Sequence, residues 1–185
     1  MVVDIFNTND KYEIIYADPP WAYLWGKGKN GGKFAPEKHY KTMQTSEICE
    51  LGNTIKKLRE KNCALFIWAT MPCLPEVFKV IEAWGFKYKT CAFTWVKTRK
   101  DGAPISGMGS YTKANAELCL LAMRGHIKSI DKTIPQILLE QRQGHSVKPD
   151  EAIKRIEKLF GNKKRIELFA RRKVEGWDCW GNEVE

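Results

Sequence analysis

At 185 residues the chain suits one domain around one sizeable core and leaves little room for a second. Its 43% hydrophobic and 29% charged residues set it apart from disordered and membrane-spanning chains. A formal charge of +9, from 31 Lys and Arg against 22 Asp and Glu, makes nucleic acid the first partner to expect, with a merely basic surface as the alternative.

The six Cys, at 49, 63, 73, 91, 119 and 179, include no CxxC pair, and His39, His126 and His145 are too scattered to complete a metal set. They read as reduced thiols, and no metal is expected. Residues 1–10 hold no basic segment followed by an apolar run, and nowhere do 18 apolar residues stand together. The expectation is a cytoplasmic protein with no membrane partner.

In chain order, 12–17 is a short apolar strand that ends at Asp18-Pro19-Pro20, because neither proline can donate to a sheet ladder. Residues 22–39 are polar, glycine-rich and basic, with Lys27, Lys29 and Lys33, and read as a surface loop unable to bury a core. Ile48, Leu51, Ile55 and Leu58 recur at helical spacing behind Ser46 as N-cap, with Glu47 opposing the helix dipole. The apolar run 63–69 predicts a strand buried on both faces. A helix follows over 72–84, stopped by Gly85.

The β-rich segment 86–97 predicts a further strand. Residues 98–113, with Arg99, Lys100, Lys113 and three Gly, form a second candidate substrate loop. A third buried strand is expected over 117–123, a short helix or strand over 134–140, a helix over 149–160 closed by Gly161, and a last strand over 165–170. This alternation argues for a single α/β domain with a mostly parallel sheet and helices on both faces. Its ligands belong beyond the carboxyl ends of the strands, where Asp18 and Arg171 stand.

Asp18-Pro19-Pro20-Trp21 is the most informative tetrapeptide; the bland alternative is a strand exit in which Asp18 caps its own turn. The lone pair of an adenine N6 amine is delocalised into the ring, so the amine is a poor nucleophile. A carboxylate at Asp18 and the carbonyl of Pro19 can each accept an N6 hydrogen and draw the nitrogen towards tetrahedral geometry. The prolines, with φ fixed, hold that carbonyl in place. Trp21 offers a face on which an extruded base can rest; a core role is its alternative.

With that motif the sequence resembles the MT-A70 family of adenine-N6 methyltransferases. The resemblance extends through LFIWAT at 65–70, WVKT at 95–98, ELCL at 117–120, HSVKPD at 145–150, IELFAR at 166–171 and Gly181-Asn182. It implies a Rossmann-like, circularly permuted methyltransferase sheet that uses S-adenosylmethionine. It also implies that Asp4 and Ile5 read the cofactor adenine, Lys148 meets its methionine carboxylate, Arg171, Asn182 and Glu183 hold its ribose, Phe169 packs near its adenine, and Asp18 approaches its amino end. Tyr40, Glu117 and Ser146 match positions near the target adenine. Two departures stand out: Glu183 where RNA-modifying members carry Gln, and an Arg172-Lys173-Val174 stretch without their His.

The expected activity is methylation of adenine N6 in DNA, with RNA as the alternative substrate. Lys27, Lys29 and Lys33 are the natural phosphate contacts in the first loop. A non-catalytic nucleic-acid-binding subunit is a reading of a different class, opposed by the intact motif and Lys148. Monomer and dimer both remain open.

Overall fold

The computed structural model describes residues 1–22, 42–107, 109, 111–141 and 147–184. Lys27, Lys29, Lys33, Tyr40 and Ser146 lie outside the described residues, as does nearly all of the 22–39 loop. Seven strands, β1 (Tyr12–Ala17), β2 (Arg59–Ala69), β3 (Lys87–Thr98), β4 (Ala116–Arg124), β5 (Ile137–Gln141), β6 (Arg165–Leu168) and β7 (Asp178–Trp180), form one sheet in the order β5-β3-β4-β2-β1-β6-β7. Four of the six pairings are parallel, and β4 runs antiparallel to both its neighbours. A strand lying against its neighbours in this way needs only the loop from β3, not a helical crossover.

The alternation of side chains along each central strand divides the core in two. Ile15, Ala17, Leu65 and Ile67 point to one face, where α1 (Thr45–Glu50), α2 (Gly52–Leu58) and α3 (Leu74–Ala83) cover them with Ile48, Ile55, Leu58, Val77 and Val80. Ile14, Tyr16, Phe66 and Trp68 point to the other, under Ala152, Ile153, Ile156 and Phe160 of α4 (Asp150–Phe160). The expected α/β sheet with helices on both faces is therefore present.

Local details differ from the sequence reading. Gln44, not Ser46, caps the first helix, and the Glu47 carboxylate accepts the Gln44 N–H at 2.6 Å. That helix is two short ones that meet at Leu51. The strand β2 begins four residues before 63, and 134–140 resolves as the edge strand β5. The strand β7 was not expected at all. Its three residues carry too short a pattern to announce a strand, and it forms because β6 offers it an edge on one side while Met1 and Val3 bond Cys179 on the other. Gly85 and Gly161 stop their helices at φ values of 76° and 71°, as expected of glycine at such ends.

The sheet places its switch point between β1 and β6. From β1 the chain crosses through α1 and α2 to β2 on one side, whereas β6 lies on the other side and is reached through α4 from the opposite face. The connections part there, leaving a crevice beyond the strand ends.

Candidate active site

The crevice is occupied by a cavity of about 390 Å³ lined by Asp18 and Pro20 after β1, Phe169, Ala170 and Arg171 after β6, and the run from Trp180 to Glu183 after β7. Met43 and Glu47 close its remaining side. Three strand ends thus deliver most of its wall, and the volume falls within the range of small-molecule sites.

Two backbone features shape it. Phe169 has φ 60°, the only non-glycine residue with positive φ among those described. An aromatic residue in that region costs on the order of 1–3 kcal/mol and persists only where its surroundings hold it. Here the Ala170 N–H donates to the Trp180 carbonyl at 2.9 Å, and the Phe169 and Trp180 rings meet edge-on at 5.3 Å. At Gly181 a side-chain carbon would come within 2.2 Å of the Ala170 carbonyl oxygen, so only glycine permits the two segments to pass so closely.

On the opposite side of Asp18 stands a chain of charges along the strand ends. Lys148, just ahead of α4, donates to the Asp18 carboxylate at 2.8 Å and lies 3.3 Å from Glu117 Oε2. Glu117, at the start of β4, also accepts from Lys97 at the end of β3. The strand β2 lies between, and the Lys148 ammonium sits 5.6 Å above the Trp68 ring. Burial pushes the Asp18 carboxyl above its ordinary range, and Lys148 opposes that rise. Burial also presses Glu117 upward, but Lys148 and Lys97 together hold it below its usual value. Burial works against the Lys148 charge, yet Asp18 and Glu117 outweigh it and raise this group above an ordinary lysine.

The sequence reading missed Glu167. It lies between Ile166 and Leu168 of β6 and pairs in register with Tyr16. Its Oε2 is buried without a hydrogen-bond partner among the described residues, and burial together with the nearby Asp18 charge raises its pKa to about 7. Met43, Glu47 and Trp180 were missed as well. Nothing in their local sequence marks them, because their place in the wall depends on which strand ends meet.

The motif loop is laced down by backbone bonds. The Trp21 N–H donates to the Pro19 carbonyl at 2.9 Å, the Met43 N–H donates to Pro20, and the Ala22 N–H returns to Met43. A carbonyl oxygen has two lone pairs, so Pro19 keeps one free of the Trp21 bond. Trp21 itself corrects the expectation of an open stacking face. Its ring is 5% exposed within the core, with its indole N–H donating to the Trp68 carbonyl at 3.0 Å, so it buttresses the loop.

Of the residues expected at the cofactor, Asp18, Phe169, Arg171, Asn182 and Glu183 share the cavity wall. Arg171 Nε and Glu183 Oε1 lie 3.7 Å apart there. Lys148 lies outside the cavity lining, held by two carboxylates. Asp4 and Ile5 also stand apart from it. The Asp4 carboxylate accepts from Asn7 at 2.5 Å and from the Phe6 amide at 3.0 Å, while Ile5 is buried in the core. Their neighbour Phe6 meets Trp180, which lines the cavity, edge-on at 6.0 Å. Among the described residues, no group of three His, Cys, Asp or Glu stands in position to hold a metal.

The MT-A70 family model matches residues 12–183. The chain is 33% identical to the type II methyltransferase M.MunI of a Mycoplasma species, over 94% of this chain and 78% of that one. It is 26% identical to the N(6)-adenosine-methyltransferase MT-A70-like protein of Drosophila melanogaster and to the N(6)-adenosine-methyltransferase catalytic subunit METTL3 of Homo sapiens. Those two matches cover 95% of this chain but only 27% and 28% of the longer relatives. With the Asp18 loop, the cavity beyond β1 and β6 and a family match across nearly its whole length, the chain belongs to the MT-A70 family of methyltransferases.

Proposed function

We propose that the protein methylates the N6 amine of adenine in DNA, using S-adenosylmethionine as donor. The observation that carries this reading is the position of Asp18. Its carboxylate opens on the cavity on one side and is held by Lys148 on the other, at the head of a loop with rigid carbonyls.

The cavity suits the donor's chemistry. Asp18, Glu47 and Glu183 give it acidic groups for an ammonium and a sulfonium, and Phe169 and Trp180 give aromatic surface for a purine. Asn182 and Glu183 supply acceptors for ribose hydroxyls. When bound, the donor supplies an electrophilic methyl group. The residues of this chain prepare the amine: Asp18 accepts one N6 hydrogen and the remaining lone pair of Pro19 accepts the other, which localises the nitrogen lone pair. The upward-shifted Asp18 carboxyl is a better proton acceptor than an ordinary aspartate, and it is placed to take the proton that the amine loses. Lys148 and Glu117 keep its carboxylate oriented.

DNA is favoured because the likeness to the type II methyltransferase covers most of both chains, whereas the relatives named for adenosine are matched over about a quarter of their length. RNA is the second reading, supported by the near-complete coverage of this chain in those same matches.

Transfer of a labelled methyl group to DNA and RNA oligonucleotides in parallel, followed by nucleoside identification, tests both. The expected product is N6-methyldeoxyadenosine. Label recovered only from RNA moves the assignment to the second reading, and label on cytosine or on neither polymer removes it.

A further inference from the structure

The segment joining β3 to β4 is a built hairpin, not a slack loop. The Ile105 N–H donates to Lys97 at 2.8 Å, and Gly107 and Ala114 exchange backbone bonds at 2.8 and 3.2 Å across a narrow antiparallel pair. Gly109 passes so close to Thr112 that a side-chain carbon there would collide with the Thr112 carbonyl oxygen. Between them stands Tyr111, fully exposed and the most exposed large hydrophobic residue among those described. Exposed cationic side chains accompany it at Arg99, Lys100 and Lys113, of which Arg99 is paired with Asp101.

So exposed an aromatic ring serves no packing purpose among the described residues. The hairpin is tied to the active site by its root, where Lys97 and Glu117 form the ion pair that leads through Lys148 to Asp18. Tyr111 precedes Glu117 by six positions, so its backbone lies within about 20 Å of the Glu117 backbone, the length of roughly six stacked nucleotides. Every nucleobase has a face on which an aromatic ring can stack, and neighbouring cations suit the phosphates on either side.

We propose that Tyr111 is a stacking contact for a nucleobase flanking the target adenine, carried on the β3–β4 hairpin with Lys100 and Lys113 on the adjoining phosphates. This rests on the nucleic-acid reading above and adds a residue that positions the polymer.

The test is fluorescence anisotropy of labelled adenine-containing oligonucleotides, single-stranded and duplex, with the wild-type chain, Tyr111→Ala and Tyr111→Phe, alongside methyl transfer. Tyr111→Ala is expected to weaken binding by roughly 10-fold or more, with an unchanged salt slope, and Tyr111→Phe to bind as the wild type does. KM for the oligonucleotide is expected to rise with the loss of affinity, and affinity for S-adenosylmethionine to stay constant. Equal binding by wild type and Tyr111→Ala overturns the proposal, as does a Tyr111→Phe variant that loses as much as the alanine. Unchanged binding with a fall in assembled mass in Tyr111→Ala overturns it in favour of a contact between copies. A wild-type chain that neither binds nor methylates oligonucleotides removes the nucleic-acid reading itself, whereas normal methylation by both chains removes only the role of Tyr111.

Discussion

The two sides of Asp18 are built by different physics. Towards β6 and β7 the wall is aromatic and acidic, and its shape depends on backbone devices: the positive φ at Phe169 and the close passage of Gly181 over Ala170. Towards β4 and β3 the structure is a line of paired charges, Asp18, Lys148, Glu117 and Lys97, laid across the strand ends over Trp68. The first side is a space kept open by backbone geometry. The second is a line of oppositely charged side chains that hold one another in place across the strand ends.

Asp18 belongs to both sides, so its removal tests the comparison most severely. Asp18→Ala is expected to lower kcat by about 10³-fold or more, since it removes the acceptor that acts on the amine during reaction. The same change frees Lys148 from its nearer carboxylate and leaves Glu117 as its partner. Near-normal turnover in Asp18→Ala, with the circular dichroism spectrum of the wild type, would break the division of labour.

The charged side was largely legible in the sequence, and the cavity side was not. Asp18, Lys148 and Glu117 stand in motifs whose residue types announce chemistry, and their elements could be placed from apolar runs and helical spacing. What local pattern could not supply was their meeting across 130 residues of chain, which needs the order of strands in the sheet. On the cavity side, Phe169 was named for its ring, but nothing in Leu168-Phe169-Ala170 signals a left-handed backbone. The three-residue β7 carries no periodicity, so Trp180 escaped notice. Trp21 was misjudged for a related reason: its face looked free in the motif, and only tertiary packing shows it buried.

Gly181 isolates the cavity side. Gly181→Ala places a methyl group against the Ala170 carbonyl, where the nearest atoms are all Ala170 backbone and no flexible side chain can yield. The expected cost is about 2–3 kcal/mol of stability, with weaker S-adenosylmethionine binding measured by calorimetry. A variant with wild-type denaturation midpoint and donor affinity would mean that the cavity wall is looser than its backbone contacts imply, and the contrast with the charged side would lose its basis.

An effect on stability alone falls on the carboxylate that neither side fully accounts for. Glu167 lies on β6 with one oxygen buried and unpartnered among the described residues, and burial with the Asp18 charge lifts its pKa to about 7 from an ordinary 4.5. Because the folded state raises this pKa, the protonated form favours folding. Its contribution is complete below the unfolded value of about 4.5 and is lost as pH rises through about 7. Glu167→Gln keeps the shape and removes the titration, so at pH 8 it is expected to be more stable than the wild type by up to about 3 kcal/mol, and near pH 4.5 to differ little. Thermal denaturation of both chains from pH 4.5 to 8 measures this directly. Curves that stay parallel across that range would show that Glu167 finds a partner in solution and that the charge pairing around Asp18 reaches across β6, joining the two sides instead of ending at Lys148.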